Sequence, residues 1–241
     1  MTERFEDLIL EFPNLIPNEW CEIMVQWFEE NKHLQQDGRV SDNSDDQEIQ
    51  TQYKVATQSI VTFESPLAKL MSKICNICYD NWLSIVKEAP NQCICFRDYS
   101  IRVYNAGNGF FKTHVDQHAG GTVTRLFAII LYLNDVKEGG ETEFPTFNKK
   151  IKPEKGKVLM FPCNYMYPHG GNMPISGSKY IATAFVNFVT EDSLQYSWIY
   201  NYQPTSCQHM CRFDICLLND LGRGWYWFYH PLFLQLILQH V

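Results

Sequence analysis

No stretch of about 20 uninterrupted apolar residues occurs in the chain, so a membrane-spanning helix is not expected. The first residues include the acids Glu3, Glu6 and Asp7, and no long apolar run follows them as it would in a secretory signal. Positive charge is also in short supply. Lys and Arg number 20 against 27 Asp and Glu, a formal net charge of −7. An acidic surface repels phosphate backbones, which makes nucleic acid a poor default partner. A paired cysteine framework is missing too: the nine cysteines are odd in number and scattered from Cys21 to Cys216. Reduced thiols in a cytoplasmic, intracellular and soluble protein fit that pattern.

Hydrophobic residues make up 45% of the chain and aromatics 15%, enough for a sizeable core. Trp20, Ile23, Met24, Trp27 and Phe28 recur at three- and four-residue steps, the mark of one apolar helical face. Pro17 suits the start of that helix. Ser65-Pro66 reads as an N-cap followed by proline at the first helical position. Leu67, Leu70, Met71, Ile74, Ile77, Cys78, Trp82 and Ile85 continue the second helix. Cys75 and Cys78 share C-x-x-C spacing inside it, where packing is the expectation rather than zinc. Leu8 to Phe12 suits a short strand.

After Pro90 the period shortens. Ser100–Tyr104, Phe127–Leu133, Lys157–Phe161 and Tyr180–Phe188 read as strands, separated by glycine-bearing turns. Helices first and short strands after them predict an α+β, mainly β fold, with a sandwich or barrel core and helices on one side. Residues 1–92 are expected to form an amino-terminal helical support, 93–189 the strand-rich core, and 190–241 an aromatic and cysteine-rich extension without an internal repeat. Cys207, Cys211 and Cys216 in that extension match no standard zinc spacing. The acidic stretch with Asp37, Asp42, Asp45, Asp46 and Glu48 reads as a solvated loop.

His114-Val115-Asp116 and the distant His169 supply two imidazoles and a carboxylate. On a strand, residues two apart share a face, so His114 and Asp116 are expected to aim at one point, with His169 arriving from another strand. Such a set covers one face of a metal and leaves the other open, as a non-haem Fe(II) centre requires. His-x-Asp alone is a weak signal. Around it stand Tyr104-Asn-Ala-Gly-Asn-Gly, Arg125, Tyr132-Leu133-Asn134, Gly139-Gly-Glu-Thr-Glu-Phe-Pro145, Gly156-Lys-Val-Leu-Met-Phe-Pro162 and His169-Gly-Gly through Lys179-Tyr180.

This ordered run resembles the catalytic domain of prolyl 4-hydroxylases within the 2-oxoglutarate/Fe(II) oxygenase superfamily, and particularly the short stand-alone members of phages, other viruses and bacteria. The resemblance covers residues 100–189 well, the amino-terminal helices loosely and the last fifty residues not at all. It implies a double-stranded β-helix, or jelly roll, with His114, Asp116 and His169 on the Fe(2+) ligand positions. It further implies Lys179 and Tyr104 as contacts to the cosubstrate 2-oxoglutarate, Arg125 as a substrate-side contact, and L-ascorbate as a candidate accessory cofactor. The implied activity is hydroxylation of a prolyl residue in a peptide or protein, with 2-oxoglutarate and O2 converted to succinate and CO2. Another side chain or a small metabolite is the next substrate class, and a non-catalytic cupin-like binding module is the non-enzymatic alternative. Ala128 departs from the family's usual threonine. The Tyr104–Lys112 segment and the acidic stretch are candidate lids, and Gly-Gly-Glu-Thr is expected to be a hairpin turn.

Overall fold

The computed structural model describes residues 4–38, 40–41, 47–48, 51–86 and 94–189. The extension from residue 190, with Cys207, Cys211 and Cys216, lies outside the described residues, as do Asp42, Asp45 and Asp46 of the acidic stretch. Two α-helices precede most of the sheet: α1 (Asn18–Glu30) and α2 (Pro66–Ile85). The strands before α2 are β1 (Leu10–Phe12), β2 (Gln36–Asp37), β3 (Val40–Ser41), β4 (Gln47–Glu48), β5 (Lys54–Val55) and β6 (Thr57–Ile60). After α2 come β7 (Ile94–Tyr104), β8 (Phe110–His114), β9 (Arg125–Tyr132) and β10 (Thr142–Phe144). The last are β11 (Lys149–Ile151), β12 (Val158–Pro162), β13 (His169–Gly171) and β14 (Lys179–Phe188).

These strands make a seven-stranded sheet in the order β1-β12-β9-β14-β7-β6-β2 and a five-stranded sheet in the order β11-β10-β13-β8-β5, with β3 and β4 as a separate pair. The pairings are antiparallel. The large sheet is buried on both faces, and the period of two divides its side chains cleanly. Ile101, Val103, Ile129, Leu131, Ala182 and Ala184 join Met24 and Phe28 of α1 and Leu67, Met71 and Ile74 of α2 in one apolar cluster. The alternate residues Tyr104, Ala128, Tyr132, Ile181 and Phe185 join Phe144 and Ile151 of the small sheet in a second. The helices therefore sit on one side, as the sequence pattern predicts, and the other side is closed by the second sheet. Among the described residues, no helix is long and apolar enough to cross a membrane.

Local chemistry accounts for the helix starts. The Ser65 hydroxyl accepts the Leu67 N–H at 3.2 Å with Pro66 at the first helical position, so one orphan donor and the missing proline donor cancel as helix problems. Cys75 and Cys78 are buried with reduced thiols, and burial raises both thiols, Cys78 to about 12. They pack rather than bind. The edge strand β1 is pinned by charge as well as by its ladder: Lys157 Nζ lies 3.6 Å from Glu11 and 3.1 Å from Glu154.

Ser65→Ala is expected to lower stability by about 1 kcal/mol, the usual worth of an N-cap. Urea unfolding monitored by circular dichroism measures it, and an unchanged midpoint would show that tertiary packing alone fixes the α2 start.

Candidate metal centre

His114 ends β8 and His169 begins β13, and the register sets these two residues directly opposite one another. Each ring is locked by its own backbone. His114 Nδ1 bonds the Lys112 carbonyl at 2.8 Å, and His169 Nδ1 bonds the Tyr167 carbonyl at 3.1 Å. A carbonyl only accepts, so each Nδ1 carries the proton and each Nε2 presents its lone pair. Both lone pairs converge on one carboxylate: His114 Nε2 is 3.5 Å from Asp116 Oδ1, and His169 Nε2 is 3.3 Å from Asp116 Oδ2. The ligand atoms of the three residues all lie within 4.8 Å of one another.

Aromatic rings restrict the imidazoles further. Phe111 stacks on His114 with centroids 3.6 Å apart, and Phe161 meets His169 edge-on at 4.5 Å. Burial lowers the His114 imidazole, keeping it in the neutral, ligating form. Burial alone would raise the Asp116 carboxyl, but His169 and His114 together carry it well below the ordinary value. Two imidazoles directed through Nε2 and one carboxylate fit a divalent first-row metal with one face left open.

The route by which Asp116 arrives differs from the sequence expectation. It does not share a strand face with His114, because β8 stops at His114 and Asp116 lies in the turn beyond it. That turn is held instead by Gln117, whose N–H reaches the Cys163 carbonyl at 3.0 Å and whose side chain donates to the Val123 and Arg125 carbonyls. The Phe110–Lys112 part of the candidate lid is likewise a correction. It is a paired strand, bonded to β5 on one side and β13 on the other, and its leading turn is tied to Pro174 by the Gly107 N–H. His118 is a loop residue bonded to the Ala119 carbonyl.

Lys179 lines the same cavity as the three residues and is 2% exposed. Its Nζ donates to the Gly140 carbonyl at 2.8 Å and stands 4.8 Å from the Tyr104 ring centroid. Burial pulls this ammonium down to about 8, partly opposed by Glu141. The lysine is placed by the Tyr-Leu-Asn run. The Asn134 amide donates to the Ser178 carbonyl and accepts the Tyr180 N–H, clamping both neighbours of Lys179. Tyr132 donates to the Thr142 hydroxyl at 2.7 Å. A Cβ on Gly171 would sit 3.5 Å from Lys179 Nζ, so glycine there leaves the ammonium's open side clear.

The Gly-Gly-Glu-Thr segment is not a hairpin turn. It carries the chain from β9 in the large sheet to β10 in the small one. Gly139 and Gly140 have φ of 72° and 76°, conformations open to glycine at little cost. They turn the Gly140 carbonyl toward Lys179. Sequence reasoning missed this backbone acceptor, and missed Thr142 and Arg102, which also line the cavity. Tyr104 is both core and cavity wall. Arg125 stands at the rim. It bonds Asp98 Oδ2 at 2.8 Å, reaches the Asp116 carbonyl at 3.4 Å and lies 3.7 Å over the Phe185 ring. Asp98 adopts φ of 59° beside the break in the β14–β7 register, a bulge that re-aims its carboxylate.

Residues 99–187 match the family model of the 2OG-Fe(II) oxygenase superfamily. Over that segment, somewhat more than a third of its length, the chain is similar to this superfamily. A relative from Acanthamoeba polyphaga mimivirus, provisionally named a prolyl 4-hydroxylase, is 28% identical over 139 residues, covering 52% of this chain and 54% of the relative. The chain thus spans about half the length of that curated relative. Among solved structures, the viral collagen prolyl hydroxylase of Paramecium bursaria Chlorella virus-1, solved as a 2OG complex, matches with a TM-score of 0.57 at 20% identity, over 76% of this chain and 97% of that one. A Trichoplax adhaerens prolyl hydroxylase, in complex with a hypoxia inducible factor oxygen degradation domain peptide fragment, gives 0.59 at 16% identity, over 81% and 88%. At these identities the solved structures establish a shared fold.

Replacing the buried lysine by an apolar isostere tests its electrostatic cost. Lys179→Met is expected to raise stability by about 1–4 kcal/mol near neutral pH. The cost of the charge is fully present below about 8 and vanishes as pH rises to the ordinary 10.5, because it exists only while the folded chain must hold a proton that burial disfavours. The Met variant's advantage should therefore shrink on going from about pH 7 to about pH 10. Equal stabilities at the lower pH would mean that the ammonium is already compensated.

Proposed function

We propose that this chain is an Fe(II)- and 2-oxoglutarate-dependent prolyl hydroxylase acting on a peptide or protein, built on a double-stranded β-helix core. The observation that carries the proposal is the pairing of a His114, Asp116, His169 cluster with a buried lysine in one cavity. The donor set suits Fe(II), and Lys179 suits an anion that also reaches the metal. The family match supports the cofactors, and the relatives' prolyl hydroxylase names support the substrate class. The described cysteines are reduced thiols, which agrees with a cytoplasmic setting.

When bound, iron and 2-oxoglutarate supply oxidative decarboxylation to succinate and CO2, coupled to hydroxylation of a substrate C–H bond. The chain's residues bind and orient. His114 and His169 offer Nε2, and Asp116 offers a carboxylate already stripped of its proton. Lys179 pairs with the far carboxylate of the cosubstrate, which restores the charge that burial opposes. Tyr104 bounds the cosubstrate under that ammonium. Phe111, Phe144 and Phe161 exclude water around the imidazoles. Arg125, oriented by Asp98 at the rim, meets the peptide. L-Ascorbate belongs in the assay as the reductant expected for this family.

Asp116→Ala and His114→Ala are each expected to abolish iron-dependent succinate formation while the thermal unfolding profile stays cooperative. Incubation of the parent with proline-containing peptides should add the mass of one oxygen atom to a product seen by mass spectrometry. Turnover retained in an iron-loaded Asp116→Ala protein would contradict the assignment.

A further inference from the structure

Arg102 has no role in the site as derived so far, yet its side chain lines the cavity with Lys179 and the His114, Asp116, His169 cluster. Its Nε is buried without a hydrogen-bond partner. Among the described residues, no carboxylate lies within ion-pair distance of it. A guanidinium is a permanent cation with donors fixed in a plane that matches a carboxylate. Turned into a protein interior, such a group needs an anion.

Register locates Arg102 between the two ends of the cavity. On β7 and β14, Tyr104 pairs with Lys179, Arg102 with Ile181, and Ser100 with Thr183. Arg102 is therefore one inward-facing step, ~6.8 Å, along the sheet from the Lys179 rung. Further in the same direction lie Asp98 and Phe185, which hold Arg125, the residue that touches the Asp116 backbone. The guanidinium also acts on the Tyr104 phenol, opposing the rise that burial imposes. Small Ala128 occupies the same inner wall.

We infer that Arg102 is a second carboxylate-binding residue of this pocket, holding the metal-side carboxylate of a 2-oxo acid while Lys179 holds the distal one. The inference rests on the reading given above and adds a residue to it. One dicarboxylate then answers a buried ammonium and a partly buried guanidinium, and the arginine fork fixes the tilt of the end nearest the metal ligands.

Anaerobic titration of the full, Fe(II)-loaded chain with two acids separates the possibilities, read by the visible absorption of the keto-acid chelate. The acids are 2-oxoglutarate and 2-oxopentanoate, which keeps the keto-acid end but lacks the distal carboxylate. Arg102→Met is expected to weaken both by a similar factor of about 10 to 100, the loss of a charge-assisted hydrogen bond. Lys179→Met should weaken 2-oxoglutarate alone. Arg102→Lys, which keeps the charge without the fork, should show a smaller loss on both acids, and it decides the matter if the Met variant does not fold by thermal melting. Parent-like binding of both acids by a folded Arg102 variant overturns the inference, and so does a loss confined to 2-oxoglutarate. No absorption band in the parent would instead overturn the proposed function itself.

Discussion

Everything at the centre depends on one pairing, His114 against His169 across the β8–β13 ladder. Two imidazoles could meet a carboxylate in many ways, but here each ring has its Nδ1 bound to a carbonyl two residues upstream in its own chain. The tautomer is thus set by the backbone, before any metal arrives. What remains free is a pair of lone pairs facing Asp116. The constraint is inexpensive because it uses hydrogen bonds local in sequence, and it is stiff because Phe111 and Phe161 limit ring rotation.

The second organising feature is the concentration of cations in a dry interior. Lys179, Arg102 and Lys54 all face into the space between the sheets or its edge, and burial lowers both lysines. Lys54 donates to Gln58 at 3.3 Å and sits 4.9 Å from the Phe111 ring that covers His114. Burying these cations costs solvation free energy, and the Asp116 carboxylate offsets part of that cost at Lys54.

Much of this was legible in the sequence wherever a local rule governs. The N-cap at Ser65, the apolar stripes of both helices and the strands around Ile129, Met160 and Ala184 follow from periodicities of 3.6 and 2. The His-x-Asp pair and Lys179 were legible as chemistry. Alternation predicts a strand through Asp116, but a strand and a turn can both follow a short alternating run, and what fixes the turn is Gln117 bonding to Val123 and Arg125 nearby and to Cys163, far away in sequence. Gly139-Gly140 looked like a hairpin because paired glycines usually mark one. Only the sheet order reveals a crossover, and with it the carbonyl that Lys179 uses. An arginine in an alternating strand reads as an outward charge, so periodicity does not mark Arg102 as a cavity residue. Its face is decided by which side of the large sheet the helices occupy.

That same two-sided burial has a further effect through β14. Its odd-numbered residues Lys179, Ile181, Thr183 and Phe185 line the cavity, whereas Ala182, Ala184 and Val186 are small enough to lie beneath the helices. The strand works as a ruler with separate markings on each side. Residues on the cavity side can be exchanged to reshape the cavity without disturbing the helical packing, but one residue gained or lost within the strand would swap the two sets and point the lysine at α1 and α2. Variation in specificity is therefore channelled into substitution, and length change in β14 is closed to it.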